Sequence, residues 1–314
     1  MRLEIYKQLI HTEGFVSGGH ISEALGITRA ALWKHIKAMQ TDGALIESVT
    51  GKGYKLVQPP SVPRAEYVRA HLSSDIPVFF EERTASTNES AKAAAQDSSL
   101  TAAVFLAGEQ TAGKGRKGRS WVSLSGQGIY LTMLVRPKIE PSSVSGITLM
   151  AAVAVCEAIE QTANIKAQIK WPNDIVIEGK KTAGILTESM MHMDGVDYVV
   201  CGIGINTGSS AFGSALSKSA GALQANNTLL AAAVISRFLD AYSAFIKYGV
   251  AVFMPAFRER NALSGTVTLL TSDGRKTGKH IGFDNDGAII IDCGGEQRSF
   301  IAGEVSLRGE KGYV

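Results

Sequence analysis

Gly113-Lys114-Gly115-Arg116-Lys117-Gly118-Arg119-Ser120-Trp121-Val122-Ser123 is the stretch on which the reading of the fold turns. The glycines at 113, 115 and 118 satisfy the spacing G-x-G-x-x-G, the fingerprint of a dinucleotide-binding turn. Context excludes that fold. The fingerprint needs a helix directly after it, whose N-terminus would hold a pyrophosphate. Here Ser120 to Ser123 lead instead toward the β-forming run at 129–135. No G-K-[ST] closes the loop, so it is not a P-loop either. Its chemistry is still informative. Glycine lets backbone N–H groups approach a ligand closely, and Lys114, Arg116, Lys117 and Arg119 offer charged donors to an anion. Such a loop suits an acid being activated by ATP: a carboxylate attacks the α-phosphate, pyrophosphate leaves and a mixed anhydride remains. A basic surface loop touching nucleic acid fits the same residues equally well.

Around this loop the segment 65–263 alternates strand-like and helix-like stretches. Residues 76–81, 102–107, 129–135, 175–177, 183–188 and 198–203 read as strands. Residues 84–96 read as a helix with N-cap candidates Thr84, Ser86 and Thr87, and 144–161 and 228–248 as long apolar helices. Hairpin-like pairs such as 175–188 point to a mixed sheet, giving an α+β class. The stretch 209–222, rich in Gly, Ser and Ala, is the candidate for a long mobile loop. The segment 264–314 changes character. Short strands at 267–270, 278–283, 288–292 and 298–301 are separated by Ser272-Asp273-Gly274, Asn285-Asp286-Gly287 and Gly294-Gly295, which suggests a small β-barrel.

The N-terminal 57 residues form a unit of their own, cut off at 58–64 by three prolines in Gln58-Pro59-Pro60-Ser61-Val62-Pro63. Proline fixes φ and stiffens the chain, so this reads as a semi-rigid linker. Before it, Leu3, Tyr6, Leu9 and Ile10 share a helical face, Ser17 can cap a second helix, and Gly26-Ile27 makes a tight turn. Thr28 can cap a third helix at 29–40 whose stripe Leu32, Ile36 and Met39 points inward. That leaves Arg29, Trp33, Lys34 and Lys37 on the outer surface, the helix-turn-helix arrangement. Strands at 45–49 and 54–57 around Thr50-Gly51-Lys52-Gly53 make a wing, with Lys52 at a tip suited to a phosphate contact. Arg29, Lys34, Lys37 and Lys52 are therefore the expected DNA contacts.

Composition bounds the rest. A chain of 314 residues suggests two or three domains, and a net charge of +3 is too small to drive nucleic-acid binding globally, so a basic patch must be local. The opening MRLEIYKQLI lacks the features of a signal peptide, and the apolar run at 147–159 is too short to span a bilayer. Cys156, Cys201 and Cys293 form no metal or redox motif, and the six histidines are scattered. The expectation is a cytoplasmic protein with no protein-built metal site.

Several motifs come one after another in order: Ser86-Thr87-Asn88, the glycine loop through Trp121, Lys170-Trp-Pro-Asn-Asp174, Lys181-Thr-Ala-Gly-Ile-Leu186 and Gly202-Ile-Gly-Ile-Asn206. With them the chain resembles, over nearly its whole length, the biotin protein ligases of the bifunctional type that also repress biotin operons. The resemblance implies a winged helix-turn-helix, a central mixed sheet with helices related to class II aminoacyl-tRNA synthetases, and an SH3-like barrel. It implies that biotin and ATP, with Mg²⁺, form biotinyl-5′-AMP, and that biotin passes to a lysine of a biotin carboxyl carrier protein (an acetyl-CoA carboxylase subunit) or another biotin-dependent carboxylase. Operator DNA and a ligand-promoted homodimer are the further implied partners.

Carried over by motif, Ser86, Thr87, Asn88 and Gln110 hold the biotin ring system, and Thr87 and Asn88 have helix capping as their alternative role. Lys114, Gly115 and Arg116 form the ligand-binding stretch of the loop, with Lys114 standing where many relatives have arginine and Arg116 the first choice for the phosphate. Trp121 and Asn206 match adenine contacts, and Gly184 and Gly204 complete the binding set. Lys181 matches the lysine bridging biotin's carboxylate and the α-phosphate, while Lys180 has no such match. Asp174 either assists deprotonation of the acceptor lysine or places Mg²⁺ and ATP. The loop at 209–222 would help shield the adenylate. The rival readings are a biotin-sensing regulator without catalysis and a ligase for lipoate.

Overall fold

The computed structural model describes residues 1–192, 195–208, 220–271, 274–301 and 306–309 of the chain. The head begins with α1 (Arg2–Ile10), whose buried face is Ile5, Tyr6 and Leu9, whereas Leu3 and Ile10 are only half-buried. In α2 (Gly18–Leu25) the Ser17 hydroxyl accepts from the Gly19 N–H at 3.2 Å, and the helix ends at Gly26 with φ 62°, a conformation that glycine adopts freely. Thr28 caps α3 (Arg29–Thr41) by accepting from the Ala31 N–H at 3.1 Å, and Leu32, Ile36 and Met39 are buried as their spacing requires. The wing is the antiparallel pair β1 (Leu45–Val49) and β2 (Gly53–Gln58). Val16 and Tyr54 exchange backbone hydrogen bonds of 2.8 and 2.9 Å, so the wing is zipped onto the chain entering α2.

The proline segment, expected as a semi-rigid linker, is docked on both sides. The Asp42 carbonyl at the end of α3 accepts from the Ser61 and Val62 N–H groups at 2.9 and 3.1 Å. The Asp42 carboxylate accepts from Arg64 Nε at 2.9 Å and the Tyr67 hydroxyl at 2.6 Å. Arg64 also pairs with Glu82 of the following unit and lies over the Phe80 ring. From the other side, Asn226 donates to the Pro59 carbonyl at 2.9 Å and Thr228 to that of Val62 at 3.2 Å. The short helix α4 (Ala65–Ala70) then gives Tyr67 to the head's core and Val68 to the next one. The helix that begins at Ala65, where the second unit is expected to start, is therefore shared between the two cores. Burial together with the Asp42 carboxylate pushes the Tyr67 phenol up.

The central unit is built on β3 (Val78–Glu81), β4 (Ala102–Ala107), β5 (Gly128–Val135), β6 (Gln168–Lys170), β7 (Asp174–Ile177), β8 (Lys180–His192) and β9 (Gly195–Asn206). Their order in the sheet is β3-β4-β5-β9-β8-β7-β6, antiparallel except for the parallel pair β3–β4, so the sheet is mixed. The helix α5 (Thr87–Ala94) covers one face through Ala91, with Ala103, Phe105, Leu134 and Val200 beneath it. The helices α6 (Val144–Ala163) and α7 (Asn227–Tyr248) cover the other. Both are long and apolar enough to cross a bilayer by length and composition, but α6 is buried from Ile147 to Ile159 along most of its surface. The helix α8 (Met254–Glu259) comes next. No periodic pattern marks α4, α8 or β6, because six or three residues are too few to display one.

The last unit is the antiparallel sheet of β10 (Thr266–Thr271), β11 (Gly274–Phe283), β12 (Ile289–Asp292), β13 (Gln297–Phe300) and β14 (Ser306–Gly309), in the order β13-β12-β11-β10-β14. It conforms to the expected SH3-like barrel topology. The buried Trp171 indole donates to the Gly287 carbonyl at 2.9 Å and fastens it to the central unit.

Replacing Asp42 by alanine leaves the buried Tyr67 hydroxyl without its acceptor and Arg64 with Glu82 in place of two carboxylates. The expected outcome is a loss of about 3 kcal/mol of stability in chemical denaturation of the full chain. A loss under about 0.5 kcal/mol would place the Asp42 cluster among ordinary surface charges.

Candidate active site

The loop from Gly113 to Trp121 folds back on itself as a hairpin. Trp121 N–H donates to the Gly113 carbonyl at 2.8 Å and Gly115 N–H to that of Arg119 at 2.6 Å. Residues 116–118 make one 3₁₀ turn, and no α-helix comes after it, as the sequence context requires. The loop forms one wall of an open cleft. The cleft is lined by Ser86, Thr87, Asn88 and Gln110 at one side and by Lys114, Gly115, Arg116, Trp121 and Lys181 at another, with Gly184 and Gly204 in its floor. Nearly all of the binding residues expected from sequence thus converge, together with Asn173 and Gly202, which sequence reasoning did not single out. The exception is Asn206, buried at the end of β9, which does not line the cleft and donates to the Gly221 carbonyl at 3.1 Å.

The floor depends on missing side chains. Gly184 and Gly204 are register partners on β8 and β9. A Cβ on Gly204 would lie 2.6 Å from the Trp121 indole nitrogen, and one on Gly184 would lie 3.1 Å from both Trp121 and Lys181 side chains. A Cβ on Gly202 would lie 2.3 Å from Asn88 Oδ1. Residues 202 and 204 alternate along a strand and so face the same side. The G-x-G spacing in Gly202-Ile203-Gly204 was the available signal for Gly202.

At the neutral side of the cleft, the start of α5 is not capped by its own residues. Ser86 occupies the N-cap position, yet its side chain makes no capping bond. Gln110 Oε1 instead accepts from the Thr87 N–H at 2.9 Å, and Gln110 Nε2 donates to Ser123 Oγ at 2.8 Å. Thr87 and Asn88 are therefore released from the capping role that the sequence left open. The Thr132 hydroxyl, fully buried on β5, lies 2.6 Å from Asn88 Oδ1 and 2.8 Å from the Thr87 hydroxyl.

The charged side carries Arg116, Lys181 and Asp174. Arg116 Nη1 donates to Asn173 Oδ1 at 3.0 Å, and Asn173 is itself oriented by donating to the Ile185 carbonyl at 2.9 Å. Burial lowers the Arg116 pKa and the nearby Asp174 charge opposes that shift. A guanidinium stays charged regardless. Lys181 Nζ lies 2.6 Å from Asp174 Oδ1 and 5.3 Å from the centre of the Trp121 ring. Asp174 does not line the cleft and reaches it through this ion pair. Lys114 meets Glu89 at 2.7 Å as a point contact, pinning the loop to α5. Lys117 turns away and donates to the Leu270 carbonyl at 3.4 Å. Lys180 is exposed. The expected mobile loop at 209–222 falls outside the described residues from 209 to 219; at its end Gly221 N–H donates to the Lys181 carbonyl at 2.8 Å.

The head presents a second basic surface. Arg29, Lys34 and Lys37 are exposed on α3 and Lys52 on the wing. Lys37 Nζ stands 5.7 Å from the exposed Trp33 ring and Lys52 Nζ 5.9 Å from that of Phe15. Among the described residues no group of three or more His, Cys, Asp or Glu could hold a metal ion.

Comparisons with known proteins agree along the chain. Residues 80–206 match the Biotin/lipoate A/B protein ligase family, residues 2–55 an HTH domain, and residues 266–308 the Biotin protein ligase C terminal domain. The chain is 32% identical to the bifunctional ligase/repressor BirA of Bacillus subtilis, over 98% of this chain and all of that protein. It is 29% identical to that of Escherichia coli, over 94% of this chain and 93% of the relative. The biotin protein ligase of Aquifex aeolicus, solved with biotin and ATP, superposes with a TM-score of 0.66 at 25% identity, over 74% of this chain and 99% of that one.

Gly204→Ala is expected to displace the Trp121 indole from the floor. In a Trp33→Phe background, where Trp171 is the other remaining tryptophan and is buried, emission should shift to the red. Unchanged emission would show that the glycine floor does not hold the indole.

Proposed function

This chain belongs to the biotin/lipoate A/B protein ligase family, among its bifunctional ligase/repressors, and we propose that its cleft carries out both halves of biotin transfer with the residues just described. The protein is an ATP-dependent biotin protein ligase with a DNA-binding repressor head. The observation that carries the residue-level reading is the polarity of the cleft: neutral hydrogen-bonding side chains at one side, Arg116 and Lys181 at another, and a bare glycine floor between.

Ser86, Thr87, Asn88 and Gln110 hold the ureido ring, which offers both N–H donors and a carbonyl acceptor. The valerate tail runs over the floor toward Lys181. Lys181 and Arg116 reduce the repulsion between biotin's carboxylate and the α-phosphate, the main obstacle to attack. A carboxylate oxygen then bonds to the α-phosphorus, the bond to the β-phosphate bridging oxygen breaks, and pyrophosphate leaves. Trp121 packs against the adenine. Its indole N–H is buried without a partner, which leaves a donor available. Asn206 acts on the adenine side through the chain at Gly221, to which it is bonded. In the second half the acceptor lysine's amine attacks the acyl carbon, the amide forms and AMP leaves. The acceptor's ammonium must first lose a proton, a role we assign to Asp174 beside Lys181, with placement of Mg²⁺ and ATP as its alternative.

Mg²⁺ travels with nucleotide phosphates and needs only one or two protein carboxylates. Asp174 fits that requirement, and the ion would supply charge neutralisation at the phosphates. Arg29, Lys34 and Lys37 on α3 and Lys52 on the wing contact operator DNA. Paired half-sites call for a two-fold dimer, whose formation we assign to the adenylate-bound state. The acceptor is a biotin carboxyl carrier protein or another biotin-dependent carboxylase, and the site of action is the cytoplasm. The readings as a lipoate ligase or a non-catalytic regulator are less well supported. A dithiolane offers no N–H donor or carbonyl acceptor to the amides and hydroxyls at the neutral side of the cleft. A sensor has no need of Arg116, Lys181 and Asp174 assembled around one point.

Labelled biotin should pass to a biotin carboxyl carrier domain in the presence of ATP and Mg²⁺, and Lys181→Ala should cut transfer by about 10²- to 10³-fold. ATP-dependent transfer undiminished by the substitution would remove Lys181 from the activation step. In the head, Lys52→Ala should reduce the slope of log affinity against log salt by about one unit on any duplex that binds; an unchanged slope would take the wing off the phosphates.

A further inference from the structure

Asn88 is buried, with 4% of its surface exposed, yet lines the cleft. Both hydrogens of its amide are committed. Nδ2 donates to Glu188 Oε2 at 2.7 Å and to the Leu186 carbonyl at 3.3 Å. A carboxylate and a peptide carbonyl only accept, so the atom facing them must be the NH₂ group. The carbonyl Oδ1 is thereby turned toward Thr132, 2.6 Å away, and the space above Gly202. The other Glu188 oxygen is held by Lys92 Nζ at 2.6 Å, and Lys92 also meets Glu89 at 3.1 Å. Lys92 only donates, so it fixes Glu188 as an acceptor at that end.

We propose that Glu188 is a positioning residue that sets the polarity of the Asn88 amide, so that the cleft meets an acceptor there and selects a ligand bearing an N–H donor. This inference rests on the biotin reading above, since the ureido ring supplies such a donor and a dithiolane does not. The assignment was invisible in the sequence, where Glu188 closes a strand and Lys92 sits mid-helix. The two meet only because β8 passes alongside α5.

Hydrogen-bond direction sets the sign of each variant's effect. In Glu188→Gln the Lys92 ammonium draws the oxygen of the new side-chain amide, so its NH₂ turns toward Asn88. Asn88 is then driven to flip against the hold of the Leu186 carbonyl, presenting NH₂ to Thr132 and the cleft. Removing that pull with Lys92→Met lets the new amide accept from Asn88 again. Calorimetric biotin titration of the full-length chain should show Glu188→Gln weakened by about ten- to hundredfold, Lys92→Met close to wild type, and the double variant restored close to wild type. ATP affinity should be unchanged throughout, and in transfer assays the KM for biotin should rise while kcat at saturating biotin holds. A purely structural role would move melting temperature and both substrates together, without rescue. Wild-type affinity in Glu188→Gln, equal weakening in Lys92→Met, or a double variant as weak as Glu188→Gln would each overturn the proposal. Failure of wild type to bind biotin would instead overturn the reading on which it rests, and the proposal with it.

Discussion

Three absent side chains hold this site open. Gly184, Gly202 and Gly204 leave a bare patch on the sheet, and a methyl group at 202 alone would make a contact of 2.3 Å. A sheet surface normally bristles with side chains on alternate residues. Here Trp121 and Asn88 reach down to backbone level instead. The indole roofs Lys181, whose ammonium lies against Asp174. The neutral readers gather where Asn88 descends over Gly202. The spatial separation of ring recognition from charge handling stems from that one vacancy.

Much of this was legible in the sequence and some was not, for physical reasons. The caps Ser17 and Thr28 announced the head's helices because capping is local chemistry. The stretches 102–107, 129–135 and 198–203 announced central strands because short apolar runs are local too. The absence of a dinucleotide fold was equally legible, because it turned on the residues immediately after Arg119. Partnerships across the chain stayed hidden. Gln110 caps α5 from the stretch after β4, and Glu188 orients Asn88 from β8. The face of α1 was shifted by Tyr67, which meets Tyr6 edge-on at 5.2 Å and comes from beyond the linker. Asn206 carries the expected identity but bonds away from the cleft. Motif resemblance places residues in a neighbourhood, while hydrogen-bond direction decides their role there.

The two basic surfaces lie on separate cores joined by one charged knot. Asp42 ends the helix whose outer face carries Arg29, Lys34 and Lys37. Through Arg64 it is linked to Glu82, which lies just ahead of the Thr84–Gln110 bridge and the ligand readers at 86–88. The Asp42–Arg64–Glu82 ion pairs therefore tie the end of the recognition helix to the chain just ahead of that bridge. Head and ligase share a helix and this ion-pair cluster, which is a closer union than two domains on a flexible tether.

A cleft that activates an acid, rather than merely retaining one, reveals itself in a single-turnover reaction of the full chain with biotin and ATP in the absence of any acceptor protein. About one equivalent of pyrophosphate should be released per chain, with biotinyl-5′-AMP remaining bound and recoverable by mass spectrometry. Saturating biotin binding with no pyrophosphate released and no adenylate recovered would contradict such activation.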